Sequence, residues 1–239
     1  MNASGLAVDN LTRRFGKLVA VDGLSFSAQR GEIVGLLGPN GAGKTTTLLC
    51  LAGLLRPNAG SIALDGRKLG PDRARLIALV PETPEVYPML TVWEHLVFVA
   101  KSCRLDGAWE DRAQGLITRL DLLDKRDELG ESLSKGMRQK TLIACTVLAD
   151  SPVVMLDEPM IGLDPKGQRE LRGILKDLRE QGRTIIMSTH LLESAESMCD
   201  RVIIMKAGRA LATGPVAELR SRGSRADETL EDIFLELTR

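Results

Sequence analysis

The stretch Gly38-Pro39-Asn40-Gly41-Ala42-Gly43-Lys44-Thr45 decides the fold of this 239-residue chain. It fits the pattern G-x-x-x-x-G-K-[ST], whose glycines let consecutive backbone N–H groups point at phosphate oxygens. The apolar run at residues 32–38 predicts a strand before the loop. Residues 44–55 predict a helix after it, whose N-terminus adds partial positive charge. The flanking elements favour a phosphate-binding P-loop over the alternatives, a chance match or a plain structural turn.

The parts of this loop have separate expected roles. Lys44 would neutralise charge on the β- and γ-phosphates, and the hydroxyl of Thr45 would ligate Mg²⁺. We expect these residues to contact the nucleotide: Gly38, Pro39, Asn40, Gly41, Ala42, Gly43, Lys44, Thr45 and Thr46.

Composition excludes several classes of protein. Lys and Arg number 32 and Asp and Glu also 32, so the basic field of a nucleic-acid binder is missing. With 4 Phe, 2 Trp and 1 Tyr, few aromatic side chains are available for stacking on bases, and we expect no nucleic-acid partner.

The cysteines Cys50, Cys103, Cys145 and Cys199 lie far apart in apolar segments, which predicts buried thiols in a reducing compartment. A signal peptide and a run of ~18 apolar residues are both missing, so we expect a cytoplasmic protein.

Hydrophobic patterning predicts an α/β fold. Short, partly alternating runs at residues 6–10, 19–28 and 61–65 predict an antiparallel sheet. Near-continuous apolar runs predict strands covered on both faces, which are usually parallel, at residues 32–38, 76–80, 153–157, 184–187 and 202–205. Between them, residues 165–181 predict a helix capped by Asp164 and started by Pro165. Its apolar stripe is Leu171, Ile174, Leu175 and Leu178.

The strand signal disappears between residues 88 and 150. Thr91 and Glu94 resemble a capping box that opens one helix, and residues 107–124 and 135–149 predict two more. We therefore predict a helical signature subdomain at residues 88–150, inserted into a nucleotide-binding core at residues 1–87 and 151–220. The remainder, residues 221–239, predicts a polar linker and a short helix with an apolar stripe at Leu230, Ile233, Phe234 and Leu237.

Two acids end the apolar run Val153-Val154-Met155-Leu156-Asp157-Glu158. Buried strands rarely carry carboxylates without a partner. We expect Asp157 to hold Mg²⁺ through water, as the corresponding aspartate does in P-loop NTPases. Glu158 would polarise the attacking water as general base, a role typically worth 10²–10⁴ in rate. The alternative is a strand-end cap or ion pair. Together with the P-loop, the acids indicate a nucleotide hydrolase.

The segment Leu133-Ser134-Lys135-Gly136-Met137-Arg138-Gln139-Lys140 resembles the LSGGQ signature of ABC ATPases, the nucleotide-binding subunits of ABC transporters. Other positions follow the same family in order, over about residues 6–215. They are Phe15 for the adenine-stacking aromatic, Glu82 in the Q-loop, Gly162-Leu163-Asp164 for the D-loop and His190 for the switch histidine. The resemblance implies a P-loop NTPase core with a mixed sheet, an antiparallel β subdomain and an inserted α-helical subdomain.

The resemblance also implies ATP and Mg²⁺ as cofactors. Its expected catalytic residues are Glu158, His190 and Glu82, and its expected metal ligands are Thr45, Glu82 and Asp157. Ser134, Gly136 and Asp164 would serve the nucleotide of a second ATP-binding subunit, in a homodimer or a heterodimer. Each has a structural alternative: an ordinary helix cap for Ser134, Gly136 and Asp164, a hairpin core position for Phe15 and a loop position for His190.

Departures from the usual sequence pattern of ABC ATPases indicate a particular subgroup of that family. Glu82 replaces a glutamine, and Lys135 and Met137 replace the Gly and Gln of LSGGQ. These residues and the C-terminal stripe resemble the ABC-2, exporter-type ATPases. The resemblance implies a transmembrane permease partner that holds the protein on the inner face of the cell membrane. Phe98 is a candidate docking residue, or else it packs beneath a neighbouring helix. The alternative functions are a soluble ABC-fold ATPase of macromolecular assembly and a nucleotide-binding regulator.

Overall fold

Strands and helices alternate through most of the chain, whose computed structural model describes residues 5–70, 73–222 and 229–238. The strands are β1 Gly5–Phe15, β2 Leu18–Gln29, β3 Ile33–Leu37, β4 Ala59–Leu64, β5 Arg67–Lys68, β6 Ile77–Val80, β7 Val153–Asp157, β8 Thr184–Thr189, β9 Arg201–Lys206 and β10 Arg209–Pro215. The helices are α1 Lys44–Ala52, α2 Val92–Cys103, α3 Trp109–Arg119, α4 Lys135–Leu148, α5 Pro165–Glu180, α6 Leu192–Met198, α7 Val216–Arg222 and α8 Leu230–Thr238.

The first strands form an antiparallel sheet in the order β2-β1-β4-β5. Leu6 pairs with Ala28 on one side and with Leu64 on the other, as the alternating pattern predicted. The strands are longer than predicted, because hydrogen bonding continues through register shifts where the apolar alternation breaks.

A six-stranded sheet in the order β10-β9-β3-β8-β7-β6 forms the centre of the fold. β3, β6, β7, β8 and β9 pair in parallel, and β10 is an antiparallel edge strand. Every residue of β3, β7 and β8 is buried, as their continuous apolar runs predicted. The α/β fold class and its mixed sheet are confirmed.

The predicted helices begin within two residues of their expected starts, but two end several residues earlier. Helices α6 and α7 were not predicted. The side chain of Asp164 accepts a hydrogen bond from the N–H of Gly167 at 3.1 Å, and the four stripe residues of α5 are buried. Thr91 and Glu94 form a complete capping box at α2. The predicted helix at 107–124 ends at Arg119, because Asp121 adopts a left-handed φ of 60°. Likewise α1 ends at Ala52, before the left-handed Gly53.

Two apolar clusters cover the central sheet. One packs the antiparallel sheet and α1 on one face of the sheet, and the other packs helices α2, α3, α4, α5 and α8 on the opposite face.

The predicted subdomain boundaries at 87/88 and 150/151 stay predictions, because α2, α3 and α4 share the second apolar cluster with the rest of the core. The boundary at 220/221 falls within α7, and residues 223–228 of the predicted linker lie outside the described residues. In α8, Leu230 and Ile233 are buried; the side chain of Leu237 lies outside the description.

Three of the four cysteines follow the prediction of buried thiols, and Cys103 does not. Cys50, Cys145 and Cys199 are free and buried, and Cys103 is half-buried. Within the described ranges, no helix is both long enough and apolar enough to cross a bilayer.

Candidate active site

The P-loop connects β3 to α1 and depends on glycine at its narrowest points. Gly43 precedes α1 with a φ of 101°, and a Cβ there would lie 2.4 Å from the carbonyl oxygen of Ala20. At Gly38 a Cβ would lie 2.5 Å from the carbonyl oxygen of Met205. Only residues without a Cβ let the loop curl this closely against its neighbours. The backbone N–H groups at the start of α1 are thereby left for an anion.

Lys44 is the buried cation of this loop, with 7% of its surface exposed. Its Nζ donates to the carbonyl oxygens of Gly38 at 2.8 Å and Pro39 at 3.4 Å. The same ammonium lies 3.6 Å from Oε1 of Glu158. The P-loop and the end of β7 therefore meet through opposite charges.

The two acids at the end of β7 are both buried and point to different partners. Asp157 accepts a hydrogen bond from the hydroxyl of Ser188 on the neighbouring strand β8. Glu158 adopts a left-handed φ of 49°, and its N–H donates to Oγ of Ser188 at 3.0 Å. This unusual conformation places the Glu158 side chain beside Lys44 rather than in the strand. Sequence reasoning missed Ser188; a hydroxyl near the end of a buried parallel strand was the available signal.

His190 follows β8 and contacts the second oxygen of Glu158. Its Nδ1 lies 3.0 Å from Oε2, and its backbone N–H donates to the same oxygen at 3.3 Å. The side chain of His190 is 46% exposed, whereas that of Glu158 is 7% exposed. The carboxylate is therefore held between a buried ammonium and a solvent-facing imidazole.

One cavity of about 740 Å³ collects most of the predicted site residues. Those that line it are Phe15, Asn40, Gly41, Ala42, Gly43, Lys44, Thr45, Thr46, Glu82, Glu158 and His190. Sequence reasoning missed five further lining residues, Leu18, Val19, Ala20, Ile161 and Ala207. Leu18, Val19 and Ala20 add an apolar wall beside the polar P-loop, a combination typical of ligand sites.

Phe15 presents its ring to this cavity. The residue is 42% exposed, so it is not a hairpin core residue. The guanidinium of Arg13 lies 4.5 Å from the centroid of the ring. A cation over the face of an aromatic ring is attracted to it electrostatically.

The signature and D-loop residues lie outside this cavity. Ser134 is exposed and caps α4, accepting from the N–H of Met137 at 3.3 Å. Gly136 packs closely on the D-loop, since a Cβ there would lie 2.8 Å from the carbonyl oxygen of Gly162.

The carboxylate of Asp164 lies 3.3 Å from Nζ of Lys140 on α4. The backbone N–H of Gly167 and then Lys140 lower the pKa of Asp164 below its usual value. The capping alternatives therefore hold for Ser134 and Asp164 within one chain.

The expected metal ligands supply few donors. In the described parts of the chain, no group of three or more His, Cys, Asp or Glu side chains is placed to hold a metal. Thr45, Glu82 and Asp157 offer one hydroxyl and two carboxylates. This set suits Mg²⁺, which keeps several waters and shares phosphate oxygens with its protein ligands. It does not suit a metal held by protein side chains alone.

Residues 21–161 match the sequence profile of the family described as ABC transporter. Among individual relatives, the ABC-type transporter ATP-binding protein EcsA of Bacillus subtilis is 36% identical over 98% of this chain and 96% of its own length. The Nod factor export ATP-binding protein I of Ralstonia nicotianae is 39% identical over 90% of this chain and 68% of its own length.

Solved structures of ATP-binding subunits of ABC transporters also resemble this chain. An ATP-binding subunit of an ABC transporter superimposes with a TM-score of 0.93 at 34% identity, covering 99% of this chain and 100% of that one. A dimeric ATP-binding cassette bound to ADP and phosphate, in a post-hydrolysis state, superimposes with a TM-score of 0.79 at 25% identity. It covers 88% of this chain and 98% of that one.

Proposed function

We propose that this chain, which belongs to the ABC transporter family, drives an exporter by closing as a dimer on two ATP molecules beneath a separate membrane subunit. As a member of that family it is an ATP-binding subunit and an ATP hydrolase. The observation that carries the proposal is the cavity in which the P-loop, Glu158 and His190 face one another. The site roles that follow are part of the proposal.

ATP would lie across the cavity with its base at Phe15 and its phosphates in the P-loop. An aromatic ring stacks on any base, and the apolar wall of Leu18 and Val19 continues that surface. Lys44 would exchange its carbonyl contacts for phosphate oxygens, because a lysine ammonium is a mobile point charge on a flexible stem.

Glu158 is placed to act as the general base. Its carboxylate would take a proton from water as the water oxygen bonds to the γ-phosphorus and the bridging oxygen leaves with ADP. His190, 3.0 Å from Oε2, would orient this carboxylate and report the presence of the γ-phosphate.

Mg²⁺, when bound, would neutralise charge on the phosphate oxygens. Thr45, Glu82 and Asp157 would hold it, with Ser188 orienting Asp157 by its hydrogen bond. The anionic Glu82 gives this site one more negative charge than a glutamine would.

The placement of the signature residues supports a dimer. Ser134 and Gly136 lie at the N-terminus of the 14-residue helix α4, where N–H groups and helix charge favour an anion, yet they do not line their own chain's cavity. Each copy carries both a P-loop half-site and a signature half-site. Two copies facing each other therefore complete two ATP sites, with Asp164 near the shared surface.

The membrane partner would dock on an aromatic cluster made of Tyr87 and Phe98, both of which are exposed. The rings of Tyr87 and Phe98 meet edge to face with centroids 5.6 Å apart. Buried His95 supports the cluster, since its Nε2 accepts from the N–H of Tyr87 at 2.9 Å. A cytoplasmic helix of the membrane subunit fits such a surface. Relatives described as export ATP-binding proteins favour the export direction.

Steady-state ATP turnover of wild-type protein and Glu158→Gln tests this function. We expect the variant to lose about 10²-fold or more of kcat, because the general base is removed. Its affinity for a fluorescent ATP analogue should stay within about threefold, since the P-loop is unchanged. Equal turnover by the two proteins would contradict the proposed role of the cavity.

A further inference from the structure

A second cavity, of about 500 Å³, lies between the loop after α1 and the β4–β5 hairpin. It shares no lining residue with the candidate active site. Three of its described lining residues are cations, Arg56, Lys68 and Arg73, and none is a carboxylate. We call it the Arg73 cavity.

Arg73 is the feature that the fold leaves unexplained. Only 6% of its surface is exposed, and its Nε has no hydrogen-bond partner within residues 5–70, 73–222 and 229–238. Among the residues that the structure describes, it forms no ion pair, and burial lowers its pKa. Burial of a charge without a partner is unfavourable. An anion in the cavity would remove that cost.

The remaining lining residues indicate the shape of such a ligand. Leu55, Pro57, Ile62 and Leu69 form apolar surface, and Gly53, Gly60 and Gly70 also line the cavity. A volume of about 500 Å³ exceeds the needs of a bare inorganic anion and falls in the range of small-molecule sites. Guanidinium groups match phosphate oxygens in a two-pronged geometry.

We propose that the Arg73 cavity binds a phosphorylated small molecule. Its phosphate pairs with the guanidinium of Arg73 and with Lys68, and its apolar part lies against Ile62 and Leu69. This site is separate from ATP hydrolysis and does not depend on the proposed function.

Calorimetric titration of the full chain with phenyl phosphate tests the proposal, with inorganic phosphate as a second probe. A saturating non-hydrolysable ATP analogue with Mg²⁺ blocks the P-loop, and the ionic strength is held constant. We expect one site per chain and about tenfold weaker binding of inorganic phosphate, because it lacks the apolar part.

Arg73→Gln should weaken phenyl phosphate binding by about tenfold or more. The matched control is Arg75→Gln, which removes the same charge from an exposed position in the same segment and should leave binding unchanged. If Arg73→Gln fails to fold, Lys68→Gln at an exposed position should still weaken binding about threefold.

Wild-type protein that binds neither probe would overturn the proposal. Equal loss of binding in the Arg73 and Arg75 variants would also overturn it, because the effect would then be one of net charge.

Discussion

The ammonium of Lys44 lies 3.6 Å from Oε1 of Glu158, and both side chains are 7% exposed. This pair joins the loop expected to bind phosphate to the carboxylate expected to activate water. Phosphate oxygens and Glu158 therefore compete for the same cation. We infer that arrival of the γ-phosphate would draw Lys44 away from the carboxylate, which leaves Glu158 free to accept a proton.

Gly43→Ala should disable the P-loop. The new Cβ would lie 2.4 Å from a backbone oxygen at a φ of 101°, so the loop has to shift. We expect ATP affinity to fall about tenfold or more and stability to fall by about 1–3 kcal/mol. Isothermal titration and urea unfolding measure the two effects.

Gly182→Ala is the matched control for this variant. Its φ of 79° is also left-handed, but a Cβ there meets nothing within 4 Å. We expect a stability loss of about 1 kcal/mol and no change in ATP affinity. Equal ATP affinity in the two variants would show that the close approach at Gly43 does not shape the site.

Local signals predicted most of the elements but missed β5, β10, α6 and α7. Contacts between paired strands could not be predicted from them. Alternating apolar runs indicated the antiparallel sheet, and continuous apolar runs indicated the parallel one. The reason is that a strand buried on one face needs apolar residues at every second position, whereas a strand buried on both faces needs them at every position. The contact between Ser188 and Asp157 depends on the register of β7 against β8, which no local pattern encodes.

Backbone conformation also determined features that could not be predicted from residue types. The early end of α3 and the turn of Glu158 toward Lys44 both depend on left-handed backbone at a non-glycine residue. The cap of α5 was predictable because Asp164 and Pro165 act locally. The ion pair of Asp164 with Lys140 was not, because it joins two helices distant in sequence.

Asp164→Ala should destabilise the fold in a pH-dependent way. The N–H of Gly167 and the charge of Lys140 lower the pKa of this carboxyl, so its contribution is present at neutral pH. That contribution is fully present above the ordinary aspartate pKa of about 3.9 and is lost as pH falls from there through the lowered pKa of the folded state. We expect a loss of about 1 kcal/mol at pH 7 and a smaller one at pH 3, measured by urea unfolding.

Asp164→Asn separates the two contributions, because asparagine keeps the helix cap and removes the charge. It should retain most of the stability at pH 7. A cost of Asp164→Ala that is the same at both pH values would contradict the assigned pKa direction.

Thiol reactivity should be confined to one cysteine in the folded protein. Burial raises the pKa of Cys145 to about 12 and that of Cys199 to about 12, so neither forms a thiolate at pH 8. Cys50 is also buried, and burial raises its pKa. Labelling with a thiol-reactive disulfide reagent, mapped by mass spectrometry, should modify the half-buried Cys103 first. Rapid native labelling of Cys145 would contradict this assignment.

Phe98→Asp should release the membrane partner. A charge in the exposed aromatic cluster opposes burial under a partner helix. We expect co-purification with an integral membrane subunit from detergent extracts to fall about tenfold or more, with ATP affinity unchanged. Leu211→Asp is the control, because it places the same charge at an exposed apolar residue on β10. Equal recovery of the membrane subunit with both variants would place the docking surface elsewhere.

Co-expression of two differently inactivated copies tests the central claim most directly. Ser134→Arg disables the signature half-site, and Glu158→Gln disables the catalytic half-site; each variant alone should hydrolyse almost no ATP. A mixed dimer recreates one intact site, so random pairing should restore about a quarter of the wild-type rate. Full turnover by a monomeric Ser134→Arg variant, or a mixture no more active than its separate components, would contradict an ATP site built from two facing copies.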